Sequence, residues 1–368
     1  MKTEMLISRF AEENKIEYGI CTAENFEQMR VVFEKAAVDF AGFIAKDTEK
    51  RIYPSLTMEN AKSIITIALS YRKNLTAKTD GKPRANISMG AIGKDYHIRM
   101  KELFEKIGGI VEKAGGKYAA FSDTGPLCDR AAAKRSNIGF IGKNGCIVTP
   151  KNGSTVFLGY IMTDLKLENT KKDFNGCKNC RKCIDACPTG ALSDDGFDFR
   201  KCISFLTQVK RTLSYEEMCS IGKELYGCDR CQRVCRGENE IIGEAGEIEE
   251  TMPLISVILD MSQKEFKERF SGTAMGWRGM NVIKRNAVCA CLRYKSEDVF
   301  EELKKAAFSQ SRIVRQAAVR AMILNKTKDS IVFLDEFIKN EKDPEICEDY
   351  RSFKNGILEQ QRLERQLL

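Results

Sequence analysis

Cysteine carries the strongest chemical signal in this chain. Residues 177–188 read CKNCRKCIDACP, a C-x-x-C-x-x-C-x-x-x-C-P run. That spacing wraps thiolates around an iron–sulfur cluster on a tight loop. A second group follows in GCDRCQRVC, at Cys228, Cys231 and Cys235. In two-cluster ferredoxins the first three cysteines of such a run hold one cluster, and the fourth, ahead of proline, holds the other. Cys177, Cys180 and Cys183 are therefore assigned to cluster one and Cys187 to cluster two. By pseudo-symmetry Cys228 and Cys231 join cluster two, and Cys235 crosses back to complete cluster one. Cluster two needs one more thiolate, for which Cys202 and Cys219 are both open. Zinc is the competing occupant, since four-cysteine zinc sites also use C-x-x-C pairs. A C-x-x-C-x-x-C run with a later Cys-Pro is a poor zinc pattern and a specific pattern for two [4Fe–4S] clusters. The other cysteines (21, 128, 146, 219, 289, 291 and 347) read as buried apolar fillers.

Composition narrows the setting. The chain has 368 residues, 15 of them cysteine, and a formal charge of +8. No signal peptide, twin-arginine motif or apolar run of bilayer length is evident, so a reducing cytoplasm and no membrane are expected. There, clustered cysteines are metal ligands rather than disulfides. A mild positive charge permits an anionic partner. His97 is the single histidine, which argues against a Ser-His-Asp triad or a histidine-rich metal site. Clusters pass single electrons, so another part of the chain should hold the group that receives them.

The elements around these motifs follow from periodicity. Residues 1–50 read as helices, with Met5, Leu6, Phe10 and Ile16 on one apolar face. AKSIITIALSY, 61–71, reads as a buried strand, and 94–113 as a helix with Ile98, Leu103, Ile107, Ile110 and Val111 inward. GGKYAAFSDT reads as a strand ending at Asp123, followed by a helix from about Leu127 to Ser136. CIVTP and STVFLGYIMT read as a hairpin across Pro150–Gly153. Helices and strands alternate, so residues 1–165 form one α/β domain in this reading. Residues 166–245 are the cysteine-rich region. Residues 246–368 read as short antiparallel helix pairs of HEAT type, with a plain bundle as the alternative.

RKCISFLT, the GCDRCQRVC spacing, KDYH, DTGPLCDRAAAKRSNIGFIGKNG and GSTVFLGYIMTDL together resemble the tRNA epoxyqueuosine reductase family. SGTAMGWRGMNVIKRNA and SRIVRQAAVRA extend the resemblance to the C-terminal region, so that it covers nearly the whole chain. It implies a fold of class α/β plus α: an N-terminal α/β cobalamin-binding domain (1–165), a ferredoxin-like two-cluster domain (166–245) and a C-terminal HEAT-like helical domain (246–368) that serves as a tRNA platform. It implies reduction of epoxyqueuosine to queuosine at the wobble position of tRNA, by cobalamin fed with electrons from two [4Fe–4S] clusters. A low-potential electron donor and a monomeric state also follow from it. It selects Cys202 over Cys219.

Asp123 matches the family's proton donor; on its own it reads as a helix N-cap. Arg130 lies about two helical turns on, positioned to orient substrate or acid. GFIGKNG, 139–145, is a glycine-rich turn that is not a Walker motif. By resemblance it borders the corrin, with Lys143 and Asn144 as polar contacts, Ile147 and Leu158 lining the pocket and Arg51 as a further contact. Asp95-Tyr96-His97 begins like D-x-H-x-x-G of methylcobalamin enzymes but lacks the glycine, so His97 reads as structural or as a hydrogen-bond partner. Two departures from the family stand out: ISMGA (87–91) replaces an aromatic-containing run, and Cys235 is followed by Arg236 and Gly237 rather than a CPWN-like ending.

Basic residues crowd the later region: Arg278, Lys284, Arg285, Arg293, Arg312, Arg315 and Arg320. Arg285, Arg312 and Arg315, with Lys210 and Arg211 between the cysteine motifs, are the expected tRNA contacts; a solvated face is the ordinary reading of each. Two other functions fit part of the pattern: a reductive dehalogenase-like reductase, and a ferredoxin-type electron-transfer protein.

Overall fold

The structure is a computed structural model and describes residues 2–39, 47–72, 80–172, 174, 176–235 and 247–366. Its first half is built on a four-stranded sheet of β1 (Glu17–Thr22), β2 (Ser63–Ser70), β3 (Tyr118–Phe121) and β4 (Val156–Thr163). The order is β1-β2-β4-β3 and every pairing is antiparallel. Mixed helix and sheet is as expected, but the alternation of elements did not disclose the antiparallel pairing.

β2 is apolar along nearly its whole length because both faces are covered. Ile65, Ile67 and Leu69 face helices Thr3–Glu13 and Tyr96–Lys113, through Ile7, Ala11, Met100, Phe104, Ile107 and Val111. Ile64 faces the other way, into a layer of Phe26, Phe33, Ile52, Leu127, Ala131 and Ala132. Helix Asp129–Arg135 lies in that second layer and presses Ser136 against β1. A Cβ on Gly19 would stand 2.2 Å from the Ser136 carbonyl oxygen, so only glycine fits there.

Three local expectations change. β1 lies inside the stretch read as helical; EYGICT is short and follows a helix with only a tight turn at Lys15 (φ 53°) between them. Met5 is 57% exposed and Ile98 48% exposed, because the buried faces of their helices are centred on Ile7 and on Ile107. The hairpin does not form: Ile147–Val148 pairs with Phe140–Ile141, and β4 inserts between β2 and β3. A single bridge, Thr149 to Gly153, spans the turn. The second predicted helix is described only as Arg30–Asp39; its continuation through 40–46 lies outside the described residues.

The largest core does not follow the three consecutive blocks. Ala85, Ile87, Ala91 and Ile92, from the first block, pack with Leu206, Leu213, Ile221 and Leu225 and with the C-terminal helices. Asn86–Ile87 pairs in parallel with Glu224–Tyr226. Arg84 anchors this segment, accepting the Tyr294 hydroxyl at its carbonyl (2.6 Å) and donating to Met252 O (2.8 Å). The expected boundary at 245/246 lies outside the described residues. Helix Met280–Cys291 is buried along most of its length and packs against Ile255–Asp260, Ser296–Ala307 and Arg312–Asn325. Among the described residues no helix is long and apolar enough to cross a membrane.

Candidate active site

Cys187, Cys202, Cys228 and Cys231 line one cavity of about 220 Å³, and Cys146, expected to be an apolar filler, lines it with them. Cys235 stands within electrostatic reach of Cys177 and Cys180, and Cys183 within reach of Cys235 and Cys177. Cys231 in turn lies within electrostatic reach of Cys183 and Cys146, so the thiols of the two motifs are neighbours. Burial raises the Cys187 thiol, but N–H groups of Leu192, Thr189 and Ala191 and the Thr189 hydroxyl outweigh it and hold the thiol below its ordinary value. That favours the thiolate that iron needs. Cys219 is exposed on helix Tyr215–Ile221 and does not line the cavity.

A buried clamp joins the segments that follow Cys202 and precede Cys228. Arg285 is 0% exposed and donates to the carbonyls of Leu206 (2.9 Å), Val209 (2.6 Å) and Arg211 (2.6 Å). Asn286 donates to Thr207 O (2.7 Å) and Leu225 O (2.8 Å) and accepts from Arg285. The two residues tie the segment after Cys202 to the segment before Cys228. Arg285 therefore cannot touch RNA, and its expected role is corrected: helix Met280–Cys291 is central, so its polar residues face carbonyls rather than solvent. Burial lowers its guanidinium to about 10.

The Asp123 loop leads into helix Asp129–Arg135, whose Arg130 lines the same cavity. Asp123 is exposed and adopts φ +55°, a left-handed conformation unusual for a side chain larger than glycine. Its N–H donates to Asp129 Oδ2 at 2.7 Å. The Tyr160 hydroxyl accepts from Leu127 N at 2.9 Å, and a Cβ on Gly125 would meet Phe121 Cβ and that hydroxyl at 2.5 Å. The loop is therefore pinned at both ends. Tyr96 stands within electrostatic reach of Asp123, Asp129 and Asp95. Its ring is stacked between His97 and Phe157, each 4.1 Å away between centroids. His97 Nδ1 pairs with Asp95 Oδ1 at 2.7 Å, beside the N-cap bond from His97 N to the same oxygen.

Behind the loop two buried polar atoms have no hydrogen-bond partner, Asp129 Oδ1 and Arg51 Nε. Burial pushes the Asp129 carboxyl up to about 7, against the pull of the Asp123 N–H, Arg130 and Arg51. Arg130 lines the cysteine cavity and donates to Gly145 O at 2.8 Å.

The other residues expected at a corrin are placed as follows. Asn144 is buried, donates to Ser154 Oγ (3.0 Å) and accepts from Cys146 N, and it too lines the cysteine cavity. Lys143 donates its backbone N–H to Cys177 Sγ at 3.4 Å. The glycine-rich turn therefore reaches both groups of cysteines. Ile147 is 2% exposed in an apolar cluster with Ala68, Ala133 and Ile138, against which Leu158 packs. Gln232 bridges the two halves, donating to Ser154 O (2.9 Å) and the buried Tyr71 hydroxyl.

Most of the basic residues already have partners. Arg211 pairs with Glu217, Arg312 with Asp343 and Glu345, Arg315 with Glu341 and Arg320 with Asp349. Lys284 donates to Leu259 O at 2.7 Å. Lys210 is exposed. Sequence reasoning missed Trp277, which is 56% exposed, carries the Arg278 guanidinium on its face at 3.4 Å and donates to the Tyr226 hydroxyl at 2.8 Å. Tyr226 is within electrostatic reach of Asp123. As the single tryptophan in the chain, Trp277 was the available signal. Tyr96 and Asp129 were missed too; both lie inside motifs where attention went to His97 and Asp123.

Comparison with known proteins now has a geometry to attach to. Residues 176–237 match the model of a 4Fe-4S double cluster binding domain, and residues 51–124 that of "Epoxyqueuosine reductase QueG, DUF1730". Epoxyqueuosine reductase of Bacillus subtilis (strain 168) is 35% identical over 89% of this chain and 88% of its own. That of Listeria monocytogenes is 32% identical over 96% and 97%. A crystal structure of epoxyqueuosine reductase with an epoxyqueuosine-modified tRNA-Tyr stem loop superposes with a TM-score of 0.87, at 32% identity, covering 96% of this chain and 98% of that one. A Bacillus subtilis structure with its catalytic aspartate loop swung out of the active site gives 0.86, at 32% identity and 96% and 99% coverage. On identity and coverage of this extent, the chain belongs to the epoxyqueuosine reductase family.

Proposed function

We propose that the chain reduces the epoxide of epoxyqueuosine, at the wobble position of tRNA, to the alkene of queuosine. One observation carries the site assignment: the first turn of helix Asp129–Arg135 serves both the acid loop and the cysteine cavity, through Asp129 and Arg130 respectively. The reaction consumes two electrons and two protons, and the epoxide oxygen leaves as water. Asp123 is the general acid that delivers a proton to that oxygen, with Tyr96 beside it. The ligand sets are Cys177, Cys180, Cys183 and Cys235 for cluster one and Cys187, Cys202, Cys228 and Cys231 for cluster two. The domain divisions are 1–165, 166–245 and 246–368, with 84–92 packed on the later two.

The partnerless polar atoms of Asp129 and Arg51 and the exposed Arg130 fit a ligand with a polar amide rim, as a corrin has. Arg51, Asp123, Arg130, Asn144 and Lys143 would hold cobalamin, with Ile147 and Leu158 backing the pocket. Bound cobalamin supplies a strongly reducing, nucleophilic metal centre. The protein's own part is to bind the base, exclude water and hold the proton at Asp123. A Bacillus subtilis relative has its catalytic aspartate loop swung out of the active site; here Asp123–Cys128 is the loop assigned that part, held in place by Asp129 and Tyr160.

The anticodon loop reaches the site beside Tyr226. Trp277, with Arg278 on its face, is placed to stack a splayed base, and Lys210 to meet phosphate. Arg211, Arg312 and Arg315 would meet phosphate only by exchanging their carboxylate partners for it. The chain works as a cytoplasmic monomer supplied by a low-potential electron donor. Deleting the gene tests the reading: epoxyqueuosine accumulates in tRNA and queuosine disappears. Unchanged queuosine in a strain without a second reductase would overturn it.

A further inference from the structure

We propose that Asp129 is a positioning residue for this reaction: its carboxylate latches the backbone of Asp123 and so sets where the acid stands. The proposal rests on Asp123 being the acid.

The geometry is specific. Asp129 opens its helix, and its Oδ2 accepts the Asp123 N–H at 2.7 Å, six residues back along the chain. That length is typical of a charge-assisted bond. Asp123 adopts a left-handed conformation, φ +55°, which aspartate tolerates better than most side chains and which the bond from its N–H to Asp129 accompanies. Downstream the loop is fixed by the Tyr160 hydroxyl on Leu127 N. Near Asp123 itself, backbone pinning comes from Asp129 and from a tight turn bond, Thr124 N to Ser122 O at 2.6 Å. The other Asp129 oxygen is buried without a partner, so the latch rests on one bond.

The charged and titratable groups around Asp129 are Asp123, Arg51 and Arg130, with Tyr96 and Tyr160 close by. The carboxyl of Asp123 opposes ionisation of Asp129; the two arginines favour it, and burial outweighs them. An ionised Asp129 accepts the N–H strongly; a protonated one accepts it weakly. The latch therefore loosens as pH falls through neutrality and tightens above it.

The test uses the full-length holoenzyme with an epoxyqueuosine-bearing tRNA stem loop. In Asp129→Ala, kcat falls at least about tenfold while KM for the RNA stays within about twofold. In Asp129→Asn, whose amide oxygen still accepts, kcat stays within about threefold of wild type at slightly alkaline pH. Amide hydrogen exchange of the peptide 121–130, corrected for intrinsic rates, reads the latch directly. Wild-type protection drops as pH falls through about 7; it is level in Asp129→Asn and absent in Asp129→Ala. Wild-type kcat and protection in Asp129→Ala, or a surviving pH step in Asp129→Asn, overturns the proposal. If Asp129→Ala loses its iron or its fold, the Asp129→Asn profile decides. If Asp123→Asn keeps its turnover, the acid assignment falls, and the exchange data still report whether Asp129 holds the loop.

Discussion

The acid loop and the arginine-rich helices use polar groups in opposite ways. Around Asp123 the backbone is left-handed, one carboxylate oxygen and one guanidinium nitrogen are buried without partners, and burial raises a carboxyl to about 7. In helix Arg312–Asn325 each of Arg312, Arg315 and Arg320 has a carboxylate partner. The first arrangement is costly for folding and ready for a ligand; the second is settled. A cluster of arginines in a sequence locates charge, but whether that charge is available depends on the acids that folding brings beside it.

Changes on the two sides should therefore differ in kind. Asp123→Asn should lower kcat by about 10² to 10⁴-fold with both clusters retained, read by single-turnover assays and iron analysis. Arg285→Leu should destabilise the chain by about 3 kcal/mol or more, because it strands buried carbonyls, and should deplete cluster two in iron analysis and EPR. Intact stability in that variant would mean the clamp is not needed. Asp129→Asn should stabilise the enzyme by roughly 2 kcal/mol at alkaline pH. Folded Asp129 binds its proton more tightly than the unfolded chain does, so its stabilising contribution is full below about 4 and is lost as pH rises to about 7. The gain in Tm from the amide should thus shrink as pH falls, and a gain independent of pH would contradict the shift. Arg312→Ala should be mildest, costing under about 1 kcal/mol and changing RNA affinity less than about threefold.

Legibility followed the reach of each signal. The cysteine motifs are local in sequence, and their spacing could be read directly. β2 was legible because SIITIALS is apolar and β-branched throughout. Antiparallel order, and the separation of Ile147–Val148 from β4, depend on pairing between distant strands, which no local period encodes. Arg285 looked like a surface cation because a residue type says nothing about which helix becomes central. Asp129 was hidden for a related reason: its role is to accept a backbone N–H, and backbone donors are the same in every sequence.

The Arg285–Asn286 clamp bears on how the protein is made. All eight proposed ligand cysteines leave the ribosome by residue 235. The carbonyls that frame Cys202 and Cys228 are not fixed until residues 285 and 286 have followed. The segments beside Cys202 and Cys228 are therefore tied together late in synthesis, by a helix that contributes none of those eight cysteines. A fragment ending after residue 235 would carry every proposed ligand and still lack the clamp that joins those two segments.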